Sequence, residues 1–264
     1  MSTSTAGEPG ALPESAADRL ARVLADAAGS SRPRVAEDRD DPAVPVAGTA
    51  VLLRDAPSGI EALLLERPSR GSFAGAWVFP GGKLEPGDAE GAGSAGEEAA
   101  ARRAAARETR EETGLDVEAT ALTTLSRWDP PPGLPLRIRT WFFLAEISGD
   151  HASGVDDLVL APEEVVRAQW IRPVEALAAH GRGELVLYPP TWVTLHDLAD
   201  ATSVEHAVAS TRMAGIRRYD TVARTGPDGS VLLWEEDAEY LAPASGDARH
   251  RLEIGRLPWR YLRR

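Results

Sequence analysis

Residues 99–115 constrain this chain more than any other stretch. Ala99 to Ala106 contains only Ala and Arg, both strong helix formers. Thr113-Gly114 supplies a stop, with Gly114 placed as a left-handed cap. A helix here sets Glu108, Glu111 and Glu112 at i, i+3 and i+4, so three carboxylates project from one face. Like charges at that spacing destabilise a bare helix. A hard divalent cation with carboxylate ligands is the simplest compensation. Arg107 lies four residues before Glu111 and is placed to hold that carboxylate by a charge-assisted hydrogen bond. Upstream, the β-like run Ala76 to Phe79 leads into Pro80-Gly81-Gly82. Glycine lets this backbone come close to a metal or a phosphate, which makes Gly81 a candidate substrate contact.

Taken in order, Gly82-x5-Asp88 followed by Arg107-Glu108-Thr109-Arg110-Glu111-Glu112-Thr113-Gly114-Leu115 resembles the Nudix box, Gly-x5-Glu-x7-Arg-Glu-U-x-Glu-Glu-x-Gly-U, where U is a bulky apolar residue. Thr109 stands where the family has an aliphatic residue, and Asp88 where it has Glu. Eighteen residues separate Asp88 from Arg107 where the pattern has seven. The extra stretch from Ala89 to Gly96 is rich in Gly, Ala and Ser and reads as a surface loop, which costs little stability when lengthened. The resemblance implies an α/β fold, a Nudix-type α/β/α sandwich with a mixed β-sheet. It also implies hydrolysis of a nucleoside diphosphate linked to another group, with Mg²⁺ or Mn²⁺ as cofactor. On that basis Glu111 and Glu112 are expected metal ligands, with Glu108 as ligand or general base and the Gly82 carbonyl completing the shell. Arg107 is expected to orient one of these ligands. Glu163 and Glu164 offer a further carboxylate, although two Glu residues after Pro162 also suit a helix start. Arg137 and Arg139 are candidate substrate-phosphate contacts, with an exposed strand face as the plainer reading.

Composition narrows the partners. The net charge of −12 argues against general affinity for nucleic acid, so the expected partner is a small-molecule nucleoside diphosphate bound through local cations. The chain has no Cys, which excludes disulfides, thiolate catalysis and Cys-based zinc sites. No apolar run reaches membrane-spanning length and Met1 to Pro13 lacks a signal-like apolar region, so a cytoplasmic protein without membrane partners is expected. The five His residues show no metal-ligand spacing.

Residues 1–13 read as disordered, and Glu14 to Ala28 as a short amphipathic helix with Ser15 as its cap. Residues 29–45 read as a linker, so that 1–44 is an N-terminal tail or an appendage packed on the domain, and 45–264 the catalytic domain with a C-terminal extension. Strands are expected at Val46 to Arg54, Ile60 to Glu66, Asp116 to Trp128, Arg137 to Ile147 and Gln169 to Ile171. Alternation sets Arg137, Arg139 and Trp141 on one face. Helices are expected at Pro173 to His180, Thr191 to Ala201 and Ser203 to Met213, followed by strand pieces at Arg217 to Ala223, Ser230 to Trp234 and Arg249 to Ile254. These last pieces, Arg217 to Arg264, could form a partner module, though their length suits an added edge of the same domain. Trp77, Trp128, Trp141 and Tyr188 read as core.

The lead-in Phe73 to Gly82, Arg127-Trp128 before a Pro-rich loop, Arg139 to Phe143, and Leu187-Tyr188-Pro189-Pro190-Thr191 are similar to one Nudix branch. It is the branch of the mammalian peroxisomal coenzyme A diphosphatase, which carries an insertion inside its box. Coenzyme A or an acyl-CoA is therefore the leading substrate expectation; ADP-ribose, a nucleotide sugar or a dinucleotide are the alternatives. Leu63-Leu64-Leu65-Glu66-Arg67 lacks the Thr of another branch's coenzyme A motif, Leu-Leu-Thr-x-Arg. A non-catalytic ligand sensor on the same fold is the rival from another class.

Overall fold

A computed structural model describes residues 15–71, 73–90, 96–134, 137–148, 155, 157–241 and 246–264. The disorder expected for residues 1–13 and most of the expected inserted loop lie outside these residues. Helix α1 (Ala16–Ser30) begins at Ser15, whose hydroxyl accepts the Asp18 N–H at 3.1 Å. It buries Leu20, Leu24 and Ala27 at helical spacing.

Strands β1 (Val46–Ala56) and β2 (Gly59–Glu66) form a hairpin across the expected Asp55–Gly59 turn. Short strands β3 (Trp77–Val78) and β4 (Gly81–Lys83) follow, then the single turn α2 (Pro86–Ala89) and the long helix α3 (Gly96–Thr113). After α3 come β5 (Thr123–Asp129), β6 (Arg139–Glu146) and β7 (Arg167–Ile171). Helices α4 (Pro173–Gly181), α5 (Pro189–Leu198) and α6 (Val204–Ala214) precede β8 (Arg217–Asp220). The strands so far make one mixed eight-stranded sheet in the order β3-β2-β1-β6-β5-β8, with β4 beside β1 and β7 beside β2. The β1–β6 and β5–β8 pairs are parallel and the others antiparallel. Fold class and mixed sheet are as expected.

One face of the sheet packs on α3. Ala101 and Ala105 meet Ala50, Leu52, Trp141 and Phe143. Small residues on both sides allow this approach. A Cβ added to Gly48 would lie 1.8 Å from the Ala101 carbonyl oxygen, so β1 and α3 meet backbone to backbone there. The opposite face carries Val51, Leu64, Trp128, Phe142 and Leu144 under Ala176, Trp192, Leu195 and Val204 of the last three helices. Strand β1 pairs with β4 at Gly48–Gly82 and Thr49–Gly81, which holds the glycine corner beside the point where α3 crosses.

The C-terminal residues differ from an added edge. Only β8 joins the main sheet. Strands β9 (Val222–Gly226), β10 (Gly229–Leu233), β11 (His250–Glu253) and β12 (Arg260–Arg263) form a second, antiparallel sheet. Helix α1 lies on this sheet, and Leu20, Leu24 and Ala27 share one core with Ala223, Leu232, Trp234 and Leu252. The strand expected from Asp116 begins only at Thr123. Buried Leu115 and Val117 alternate with exposed Asp116 and Glu118, yet no described strand pairs with them. Trp77, Trp128 and Trp141 are buried as expected, and Tyr188 is half-buried edge-on to Phe73, with ring centroids 4.9 Å apart. Among the described residues no helix is long and apolar enough to cross a membrane.

Candidate active site

The C-terminal half of α3 carries the acidic residues over the glycine corner. Its end is closed by Gly114 at φ +75°, whose N–H donates to the Arg110 carbonyl at 2.9 Å. Thr109, at the position the motif gives to an apolar residue, is fully buried. It is satisfied inside the helix, its hydroxyl donating to the Ala105 carbonyl at 2.7 Å.

Arg107 clamps this part of the site. One terminal nitrogen donates to Glu108 and to Glu111, each at 2.9 Å. The other donates to the Lys83 carbonyl and to Asp88, each at 3.0 Å. Asp88 is itself buried and accepts the Glu85 N–H at 2.8 Å. It ties the turn after β4 to the guanidinium, a task the shorter carboxylate performs in place of Glu.

Glu112 is 1% exposed; one carboxylate oxygen accepts the Gly81 N–H at 3.0 Å and the other pairs with Arg67. Glu108 lies flat against Gly82: a Cβ there would be 2.1 Å from its Oε1, so only glycine leaves room. Glu164 completes the group. Single oxygens of Glu108, Glu112 and Glu164 all lie within 4.8 Å of one another. Burial pushes the Glu112 carboxyl up to about 7, against the opposing pull of Arg67 and the Gly81 N–H. Burial also raises Glu108, opposed by Arg107.

The donor set fits a divalent cation. Three hard carboxylate oxygens converge without His or Cys among them, two of the groups are desolvated, and their mutual repulsion is what a dication relieves.

Two sets of expected site residues lie apart from this trio. Glu111 is exposed and pairs with Arg107 at 2.9 Å, the i, i+4 ion pair expected from the sequence. Arg137 and Arg139 are not brought to the carboxylates either. Arg139 is 1% exposed and donates to Asp129 at 2.8 Å and to Glu97 at 2.8 Å. Glu97 stands at the start of α3, the end away from Glu108 and Glu112. Arg137 pairs with Asp41 at 3.4 Å. Glu164 and Arg67 are the residues that sequence reasoning underweighted. The Glu163-Glu164 pair was visible but suited a helix start, whereas residues 162–164 form a turn that delivers Glu164 to the cluster.

A family model for the NUDIX domain matches residues 44–191. The chain belongs to the NUDIX family. The NUDIX hydrolase of Alicyclobacillus acidocaldarius shares 26% identity with it at a TM-score of 0.54, covering 63% of this chain and 96% of that one. Similarity extends at lower scores to the NUDIX domain of Shewanella oneidensis NrtR, solved with ADP ribose. That domain is 17% identical at TM-score 0.44, covering 58% of this chain and 85% of that one. The Ap4A hydrolase of C. elegans is 21% identical at TM-score 0.38, covering 58% and 95%. No curated protein gives a significant match. The chain is a Nudix-type hydrolase, and its acidic cluster suits the divalent metal that Nudix hydrolases generally need.

Proposed function

We propose that this NUDIX protein hydrolyses the diphosphate bond of a nucleoside diphosphate derivative, with coenzyme A or an acyl-CoA as substrate and Mg²⁺ or Mn²⁺ as cofactor. The observation that carries the reading is the convergence of Glu108, Glu112 and Glu164 within 4.8 Å at a corner built from Gly81 and Gly82. Glu108, Glu112 and Glu164 would hold the metal. Bound divalent cations neutralise phosphate oxygens and activate water for attack on phosphorus. The chain's residues supply the rest. The Gly81 N–H fixes one oxygen of Glu112, and Arg107 orients Glu108 against Gly82. Glu108 lies at the glycine corner beside the other two carboxylates, which suits it to act as ligand or as general base toward a water there. Arg107 stabilises its charged form and is itself anchored by Asp88 and the Lys83 carbonyl.

The substrate assignment rests on the branch resemblance of Phe73 to Gly82 and of Leu187 to Thr191. It is tested by incubating the protein with Mg²⁺ and coenzyme A, ADP-ribose, a nucleotide sugar and a dinucleotide. Release of 3′,5′-ADP from coenzyme A is the expected signal. Cleavage of ADP-ribose alone would overturn the substrate assignment. Cleavage of none of the four, with one of them bound, would favour the sensor reading.

A further inference from the structure

Arg67 follows directly on β2, and its place is set by the backbone. Its N–H donates to the Ala76 carbonyl at 2.9 Å, and its carbonyl accepts the Gly75 N–H at 3.2 Å. From this fixed root the guanidinium reaches into the acidic trio. It pairs with Glu112 and lies 3.6 Å from Glu164. Glu112 is buried, and Arg67 is the cation that faces it most closely. A divalent cation held by Glu108, Glu112 and Glu164 would draw on two carboxylates that the guanidinium already faces. A charge of +1 and a charge of +2 also repel strongly in a site this desolvated.

We propose that Arg67 is a resident counter-ion of the metal trio: guanidinium and divalent cation compete for Glu112 and Glu164, and this competition sets the cation concentration at which the site loads. The inference rests on the metal-site reading above and adds its regulation. Arg67 neutralises part of the trio. Loading requires the guanidinium to withdraw from two carboxylates, and the buried Glu112 then exchanges one positive partner for another. Arg67 acts here as a positioning residue, through the carboxylates.

The test is a calorimetric titration of Mn²⁺ into the full chain without substrate, for wild type, Arg67→Gln and Arg67→Lys. Losing a charge-assisted competitor should tighten Mn²⁺ binding about tenfold or more in Arg67→Gln. Arg67→Lys, a point charge that lacks the two-sided fork, should fall between Arg67→Gln and wild type. A merely structural arginine would give the opposite sign, because loosening Glu112 weakens the site. Unchanged or weaker Mn²⁺ binding in folded Arg67→Gln would overturn the proposal. If that variant does not fold, Arg67→Lys decides alone: tighter binding than wild type supports competition, and equal or weaker binding overturns it. The hydrolase reading is scored separately. The expected affinity shifts without diphosphate cleavage would leave the counter-ion role standing and remove the enzyme, whereas cleavage with no affinity shift would do the reverse.

Discussion

At the scale of single residues, Glu112 is a carboxyl group taken almost wholly out of water. Its carboxyl sits near pKa 7 in the fold, against 4.5 when exposed. A carboxyl raised in this way favours the fold while protonated. Its contribution is fully present below about pH 4.5 and is lost as pH rises through 7. In the presence of chelator, wild type should therefore lose stability relative to Glu112→Gln across that window, by about 3 kcal/mol. Urea unfolding of both proteins at pH 4.5 and 7.5 measures it; a constant difference would show that Glu112 titrates normally. Arg139 makes the contrasting case. It is buried against Asp129, so Arg139→Met should cost about 3 kcal/mol of stability by leaving part of a buried charge uncompensated. Substrate KM should change little, because its guanidinium is engaged by Asp129 and Glu97. A large rise in KM with stability intact would restore Arg139 as a phosphate contact. In sequence Arg139 looked like one member of an exposed strand face, since alternation reports which residues share a face and not what covers it.

At the scale of elements, the site is a crossing of α3 over the β1–β4 corner, and two glycines set its spacing. Gly48→Ala drives a methyl into the Ala101 backbone, which cannot step aside, and should cost about 3 kcal/mol through overpacking. Gly82→Ala meets only the mobile end of Glu108. It should keep the fold by circular dichroism while reducing hydrolysis at least about tenfold, through displacement of one carboxylate. Full activity in folded Gly82→Ala would show that Glu108 does not need that position. Most of α3, the β1–β2 hairpin and the glycine corner were legible, because their information is local: Ala and Arg propensity, the Gly114 stop, two apolar runs about a turn and a Pro-Gly-Gly corner. The Arg107–Glu111 ion pair was legible as well, because i, i+4 spacing on a helix is local information. Glu164 was legible only as one of two candidates for a further carboxylate, since it lies some fifty residues from α3 and joins Glu108 and Glu112 only through tertiary packing.

At the scale of the whole molecule, α1 and the second sheet share a core with the helical face of the main sheet. The N-terminal residues from Ser15 onward are thereby joined to the C-terminal strands. Arg34 reinforces this, donating to the carbonyls of Asp129, Pro130 and Thr221. Leu24→Ala should lower stability by about 2–4 kcal/mol, as in other buried large-to-small changes. A thermal shift close to zero would mean that α1 is dispensable to the fold. The sequence pattern showed the apolar stripe of α1 but not its partner, because β9 to β12 are short and separated by turns. The proposed catalysis requires that the acidic trio hold a divalent cation and act on a phosphoanhydride. The most direct measurement is the rate of 3′,5′-ADP release from coenzyme A as Mg²⁺ is titrated, for wild type beside Glu112→Gln. Wild-type turnover should rise with Mg²⁺ and vanish with chelator, while folded Glu112→Gln should lose about a hundredfold or more. Equal rates in the two proteins, or turnover indifferent to chelator, would contradict it.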